Sequence, residues 1–269
     1  MNAQHVIRTE ALVAGYGGAT IVDGIDLDIP TGRISVIVGA NACGKSTLLK
    51  TISRLLPARA GAVLLDGKRI EDIPTKELAR TLGLLPQQPV SPEGIVVAEL
   101  VGRGRHPHQK LFRSWTTDDD RAVTEALAAT GILDLADRAV DELSGGQRQR
   151  VWIAMALAQE TDILLLDEPT TFLDVSHQVE VLDLLADLNS ARGTTIVMVL
   201  HDINMAARYA DHLFALRGGR LIASGAPADI VDAELVREIF DLDSLVITDP
   251  VSHTPLVLPR GRHHVAAAG

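Results

Sequence analysis

Aromatic side chains are scarce in this chain: only 3% of its 269 residues are Phe, Trp or Tyr. A platform that stacks single-stranded nucleic acid needs several such rings on one surface, so the composition argues against that activity. Cysteine is scarcer. Cys43 stands alone, which excludes an intrachain disulfide and suits a reducing compartment. Positive charge is in deficit, with 25 Lys and Arg against 35 Asp and Glu and a formal net charge of −10. That balance argues against non-specific binding to nucleic acid or to an anionic lipid surface. Long apolar runs are missing too. Ile34–Val38, Ile163–Leu166 and Thr194–Leu200 fall well short of the roughly 20 residues of a membrane-spanning helix. The opening MNAQHVIRTE lacks the basic-then-apolar pattern of a signal peptide. A soluble chain is expected, with any membrane role passing through a partner. Its hydrophobic content of 46% suffices for a sizeable core, and no repeat, low-complexity tract or linker divides it.

The chemistry-bearing residues come in a fixed order. Val6–Ala14 and Ile21–Ile29 alternate as strands around a turn at Gly15–Gly18 that carries Tyr16. Arg33–Val38 reads as a buried strand. It runs into GANACGKS, Gly39–Ser46, and a helical stretch from Thr47 to Leu56. This is G-x-x-x-x-G-K-[ST] in the strand–loop–helix context that the motif requires. Backbone N–H groups of such a loop close around phosphate oxygens. Lys45 would reach the β- and γ-phosphates and Ser46 would ligate Mg²⁺, with Cys43 a small spacer in the loop.

Strands at Ala62–Asp66 and Leu82–Pro86 flank a short helix at Thr75–Arg80, and Gln87-Gln88 follows. From about Pro89 to Ala158 the pattern turns helical: Val96–Gly102, a helix N-capped at Thr117 and running through Ala129, and a short helix at Leu133–Ala136. Between them Gly104–Ser114 is irregular and basic. Leu143–Gln147 reads LSGGQ and opens the helical run Arg148–Gln159. A serine and two glycines there form a helix N-terminus that a phosphate can approach.

DILLLDE, Asp162–Glu168, is a buried strand delivering two carboxylates to its C-terminal end, the edge where parallel sheets bind nucleotides. Asp167 can hold Mg²⁺ through water, and Glu168 can accept a proton from an attacking water. After the turn PTTFLD and a helix at Val175–Asn189, the buried strand Thr194–Leu200 ends at His201, placed for a γ-phosphate contact. Met205–Ala210 is helical, His212–Leu216 and Leu221–Ser224 form a hairpin, and Ala228–Phe240 is one helix before an extended C-terminus.

In that order and spacing, Gly39–Ser46, Gln87, Leu143–Gln147, Asp167-Glu168, Asp174 and His201 resemble the ATP-binding subunit of an ABC transporter. GRGRHPHQKLFRSW, DELSGGQRQRVWIAMALAQET, DEPTTFLD, LHDINMAARYADHL and DPVSHTPLVLPRGR are more narrowly similar to the importer ATPases for iron siderophores, haem and vitamin B12. The resemblance implies an α/β fold: a P-loop NTPase (RecA-like) core with a mixed sheet, an N-terminal antiparallel β subdomain and an inserted α-helical signature subdomain. It implies one ABC domain over 1–262, with the core at about 1–88 and 160–246, the helical subdomain at about 89–159 and a flexible tail at 263–269.

The resemblance also implies roles. Tyr16 would stack on adenine. Gly39, Ala40, Asn41, Ala42, Cys43, Gly44, Lys45, Ser46 and Thr47 would form the ATP-binding loop. Ser46, Gln87 and Asp167 would hold Mg²⁺. Glu168 would be the general base, with His201, Gln87 and Lys45 beside the reacting phosphate. Ser144, Gly145, Gly146 and Gln147 would cap ATP held by a second copy in a head-to-tail homodimer, with Asp174 at the contact. Implied partners are integral-membrane permease subunits and, through them, a periplasmic or lipoprotein substrate-binding protein, with the ATPase on the cytoplasmic face of the membrane. The basic segment Arg103–Arg113 is the expected permease dock. Alternatives are the ATPase of another ABC transporter class, or a soluble ABC protein such as a cluster-assembly component. Translation-type members carry two cassettes and repair-type members long coiled coils, neither of which is present.

Overall fold

The computed structural model describes residues 5–87, 89–109, 115–171 and 173–261. Gln88 and the expected tail lie outside them. The chain begins with β1 (Ile7–Ala14) and β2 (Val22–Ile29), then β3 (Ile34–Gly39), which feeds α1 (Lys45–Ile52). Next come β4 (Ala60–Leu65), β5 (Lys68–Arg69), α2 (Thr75–Thr81) and β6 (Leu82–Leu85). The helical insertion holds α3 (Val97–Gly102), α4 (Thr117–Ala129) and α5 (Gly145–Ala158). The chain returns through β7 (Ile163–Asp167), α6 (Val175–Arg192), β8 (Thr195–Val199), α7 (Ile203–Tyr209), β9 (His212–Arg217) and β10 (Arg220–Gly225). It closes with α8 (Pro227–Ile230), α9 (Ala233–Phe240) and the hairpin β11 (Ser244–Thr248) and β12 (Pro255–Pro259).

The main sheet has six strands in the order β10-β9-β3-β8-β7-β6. All are parallel except β10 at one edge. A second sheet, β2-β1-β4-β5, is antiparallel. The central strands are buried on both faces, as parallel strands covered on both sides must be. Successive side chains point to opposite faces, so each strand feeds two cores. Val36, Leu164 and Met198 pack with α5 and α6 through Val151, Ile153, Val181 and Leu185. Ile37, Leu165 and Val197 pack with α1 and the antiparallel sheet through Leu48, Leu49, Leu12 and Ile25.

This topology fixes where function can sit. Chain direction is common to β3, β8, β7 and β6, which are consecutive neighbours. The residues that follow their C-terminal ends therefore emerge at one edge: the loop after Gly39, His201 after β8, Glu168 after β7 and Gln87 after β6.

Two expectations need correction and a third is made more specific. The helix expected over Ala228–Phe240 is two helices, because Asp232 accepts from the Leu235 N–H and caps α9 afresh. The cap of α4 is Thr116, not Thr117. Thr116 and Asp119 form a reciprocal capping box, which satisfies two backbone donors that a helix start leaves open. The extended C-terminus is a paired hairpin.

Of the basic segment Arg103–Arg113, residues 110–113 lie outside the described ones, and within the rest one side chain turns inward. Arg105 is 1% exposed. Its guanidinium donates to Asp119 at 3.0 Å, to Glu160 at 2.7 Å and to the Ala158 carbonyl at 2.8 Å. It thus ties α4 to the C-terminal end of α5, and Lys76 and Arg80 of α2 hold the same segment through the carbonyls of Gln109 and Pro107. Arg105→Ala strands the buried Asp119 carboxylate without its cation, and should destabilise the chain by about 3–5 kcal/mol. Chemical denaturation of the variant checks this, with Arg103→Ala, on the exposed side of the same segment, expected to be nearly neutral.

Candidate active site

The loop between β3 and α1 is shaped by its glycines. Gly39 has φ 150°, and a Cβ there would stand 2.2 Å from the Leu216 carbonyl oxygen and 2.8 Å from Cys43 Sγ. Gly44, at φ 107°, precedes the first turn of α1. That turn leaves backbone N–H groups without helical acceptors and carries the positive end of the helix dipole. Both face a cavity of about 530 Å³ lined by Asn41, Ala42, Gly44, Lys45, Ser46 and Thr47 on the loop side. Tyr16, half exposed, and Ile21 line it from the antiparallel sheet, and Gln87, Glu168 and His201 from the strand ends.

Lys45 is 4% exposed. Its Nζ donates to the carbonyls of Gly39 at 2.8 Å and Ala40 at 2.9 Å. Among the described residues no carboxylate pairs with it. A buried ammonium facing only neutral acceptors favours an anion in the adjoining cavity. Gly39, Ala40 and Cys43 do not line that cavity. They shape the loop from behind, with Cys43 turned into the apolar core.

At the strand ends, Glu168 is the hub. Its φ of 56° is left-handed, at a cost of roughly 1–2 kcal/mol, and turns the chain sharply after β7. Gln87 Nε2 donates to Glu168 Oε2 at 2.6 Å, Thr171 Oγ1 donates to the same oxygen at 3.0 Å, and His201 Nε2 lies 2.6 Å from Oε1. Burial pushes the carboxyl up, but the contacts from His201, Gln87 and Thr171 outweigh it, and Glu168 ends below the ordinary glutamate value. The group is therefore a carboxylate at neutral pH, with lone-pair capacity on Oε1 left to accept a proton. Thr171 was not anticipated from sequence; its signal is its place three residues after Glu168, within one tight turn.

Asp167 sits behind Ser46, whose Oγ donates to Oδ1 at 2.8 Å. Its other oxygen, Oδ2, is buried without a hydrogen-bond partner. Burial raises this carboxyl above the ordinary value; the Ser46 hydroxyl works the other way and the charge of Glu168 adds to the rise. A hydroxyl and a carboxylate with an orphaned oxygen are hard-oxygen donors, which fit Mg²⁺; Ser46 and Gln87 line the cavity, and Asp167 stands behind Ser46 without lining it.

The remaining sequence candidates lie outside the cavity. Ser144 caps α5, accepting from the Gln147 N–H at 3.3 Å, while Gln147 Oε1 accepts from the Ser144 N–H at 3.0 Å. A Cβ on Gly145 would meet nothing within 4 Å, so the first turn of α5 is open. Asp174 is exposed and caps α6 through the His177 N–H at 3.0 Å, which with Ser176 and the His177 ring takes its carboxyl down to about 2. Neither group lines the cavity. The structure thus brings together a glycine-shaped loop opening a helix, a pair of adjacent carboxylates and a buried ammonium, and leaves the open first turn of α5 outside that cavity.

Comparison with known proteins accords with this geometry. The family model described as ABC transporter matches residues 22–171. The ferric enterobactin transport ATP-binding protein of Escherichia coli is 55% identical over 256 residues, 95% of this chain and 94% of that protein. An ABC transporter described as of metal-chelate type, in an inward-facing conformation, superposes with a TM-score of 0.83 at 28% identity, covering 98% of this chain and 100% of that one. A dimeric ATP-binding cassette in a post-hydrolysis state, bound to ADP and Pi, superposes with a TM-score of 0.72 at 28% identity, covering 82% of this chain and 98% of that one.

The loop geometry carries a direct test. Gly39→Ala drives a methyl group into the Leu216 carbonyl and should weaken nucleotide binding by about tenfold or more. Titration with a fluorescent ATP analogue measures it, and an unchanged circular dichroism spectrum shows that the fold survives.

Proposed function

The chain belongs to the ABC transporter family as an ATP-binding, ATP-hydrolysing cassette, and from that premise we propose that it drives import of a ferric siderophore through a separate membrane permease. The observation that carries the reading is Glu168, a carboxylate held by Gln87, Thr171 and His201 at the mouth of a phosphate-binding cavity. Support for the cargo comes from the siderophore-transport relative, which matches along nearly its whole length. We assign the chain one ABC domain, with a core at about 1–88 and 160–246 and a helical subdomain at about 89–159.

Phosphoryl transfer to water asks little covalent chemistry of a protein. It asks for position, charge neutralisation and an oriented water. Lys45 and the N–H groups of the loop bind the phosphates, and Tyr16 stacks against the base. Ser46 and Asp167, with Gln87, would hold Mg²⁺, which when bound neutralises phosphate charge. Glu168 takes the proton of the attacking water on Oε1, while His201 and Gln87 fix the carboxylate in place. The open α5 terminus, Ser144–Gln147, completes the site from a second copy, with Asp174 at the contact between them. Among the described residues no helix is long and apolar enough to cross a membrane; contact with the permease would hold the chain at the cytoplasmic face, where ATP is supplied.

Glu168→Gln should keep ATP affinity within about twofold and slow turnover by about 10²–10⁴, with an ATP-bound dimer accumulating on size exclusion. Near-normal turnover would remove Glu168 as the base. For cargo, the chain is purified with its membrane and binding subunits and offered labelled ferric siderophore in proteoliposomes. ATP-dependent uptake supports the proposal; uptake of haem or vitamin B12 in its place would reassign the cargo.

A further inference from the structure

Two of the sequence segments singled out above touch each other. LHDINMAARYADHL contains His201 and α7; DPVSHTPLVLPRGR contains the turn and second strand of the C-terminal hairpin. Neither lies within residues 22–171, the span that the general family model matches. α7 follows His201 after a single residue, Asp202, whose carboxylate caps it by accepting from Asn204 and Met205. With seven residues, α7 is far too short to be stable alone. Ala206 and Ala207 of the helix are buried, and Ile203, Met205 and Tyr209 pack half-buried against the main core. Such partial packing leaves the height and rotation of so short a helix to polar anchors.

The hairpin supplies two. Asn204 Nδ2 donates to the Val257 carbonyl at 3.1 Å, and Asn204 Oδ1 accepts from the Val257 N–H at 2.7 Å. A side-chain amide thus mimics a strand partner for β12 and fixes both the height and the rotation of the helix. One turn further on the same face, Arg208 reaches Asp249 at 2.6 Å. Asp249 also accepts from the Val251 N–H at 2.8 Å, so it organises the turn of the hairpin while holding the helix. Val257 itself is 2% exposed and belongs to the main core, which makes the hairpin a fixed support. The His201 side chain, by contrast, is 45% exposed and touches Glu168 from one side. Its placement depends on the backbone that carries it.

We propose that the C-terminal hairpin is part of the hydrolytic device: Asn204 and Arg208 are positioning residues that, anchored on β12 and Asp249, set His201 against Glu168. The inference rests on the reading of Glu168 and His201 given above. It predicts that loosening the anchor slows the chemical step without touching nucleotide binding, because none of these residues lines the cavity except His201.

The test uses the full chain with Mg²⁺-ATP. Asn204→Ala, Arg208→Met and Arg208→Lys are each made alone and in a His201→Ala background. Asn204→Ala and Arg208→Met should lower kcat by about tenfold, the scale expected for a small misplacement beside the reacting group. KM and the affinity for a fluorescent ATP analogue should stay within about twofold. Arg208→Lys should recover most of the loss, and amide exchange across 203–209 should quicken in the two disabling variants. In the His201→Ala background neither should cost anything more, since a residue acting only through His201 has nothing left to act on. An unchanged kcat, a loss expressed in KM, or the same tenfold loss on top of His201→Ala overturns the proposal. Should Asn204→Ala fail to fold, the Arg208 pair carries the test alone. His201→Ala turning over at the wild-type rate would overturn the reading of the site itself. A slow His201→Ala beside fully active Asn204→Ala and Arg208→Met overturns the anchoring only.

Discussion

Four neighbouring strands share one direction, and the rest of the structure depends on it. β3, β8, β7 and β6 are buried on both faces by their alternating apolar side chains. Water is excluded from both sides, so their ends are the places where polar side chains can emerge. Because the strands are parallel, four such ends lie side by side. The phosphate loop, His201, Glu168 and Gln87 come from positions as far apart as 41 and 201, yet meet around one cavity. A slip of one residue in any of these strands would turn its apolar set around and carry the site residue away with it.

Within that frame the site separates two carboxylates by environment. Asp167 is buried behind Ser46 with an orphaned oxygen, in surroundings that disfavour its charge. Glu168, next in the chain, is kept charged by three neighbours. The two acids differ in place as well: the orphaned oxygen of Asp167 suits a cation, and Glu168 lines the cavity, already ionised. The left-handed backbone at Glu168 is the local strain that lets two consecutive residues face such different surroundings.

Much of this was legible in the sequence because the motifs are local. Gly39–Ser46 announces its loop, and DILLLDE announces both its strand and its edge. Features built by distant partners were not legible. Arg105 sits in a basic run that reads as surface, and only its contacts with Asp119 and Glu160 turn it inward. The break between α8 and α9 is set by a cap at Asp232 inside an apolar run. The hairpin at the C-terminus is defined by pairing and by Asn204, neither of which a period reveals. The start of α5 was legible as a helix N-terminus at Ser144-Gly145-Gly146, and the structure closes it with a capping box between Ser144 and Gln147.

We propose that each chain holds half of two sites: a cavity that lacks a cap and a cap that lacks a cavity. Mixing two inactive variants tests it most directly. Lys45→Ala disables the cavity and leaves Ser144–Gln147 intact; Ser144→Arg does the reverse. In a head-to-tail pair of one of each, one site joins a sound cavity to a sound cap. The mixture should regain ATPase activity, up to about a quarter of wild type if chains pair at random and sites act independently, where each variant alone has almost none. A mixture no more active than the sum of its parts would show that the cap and the cavity do not meet across two chains.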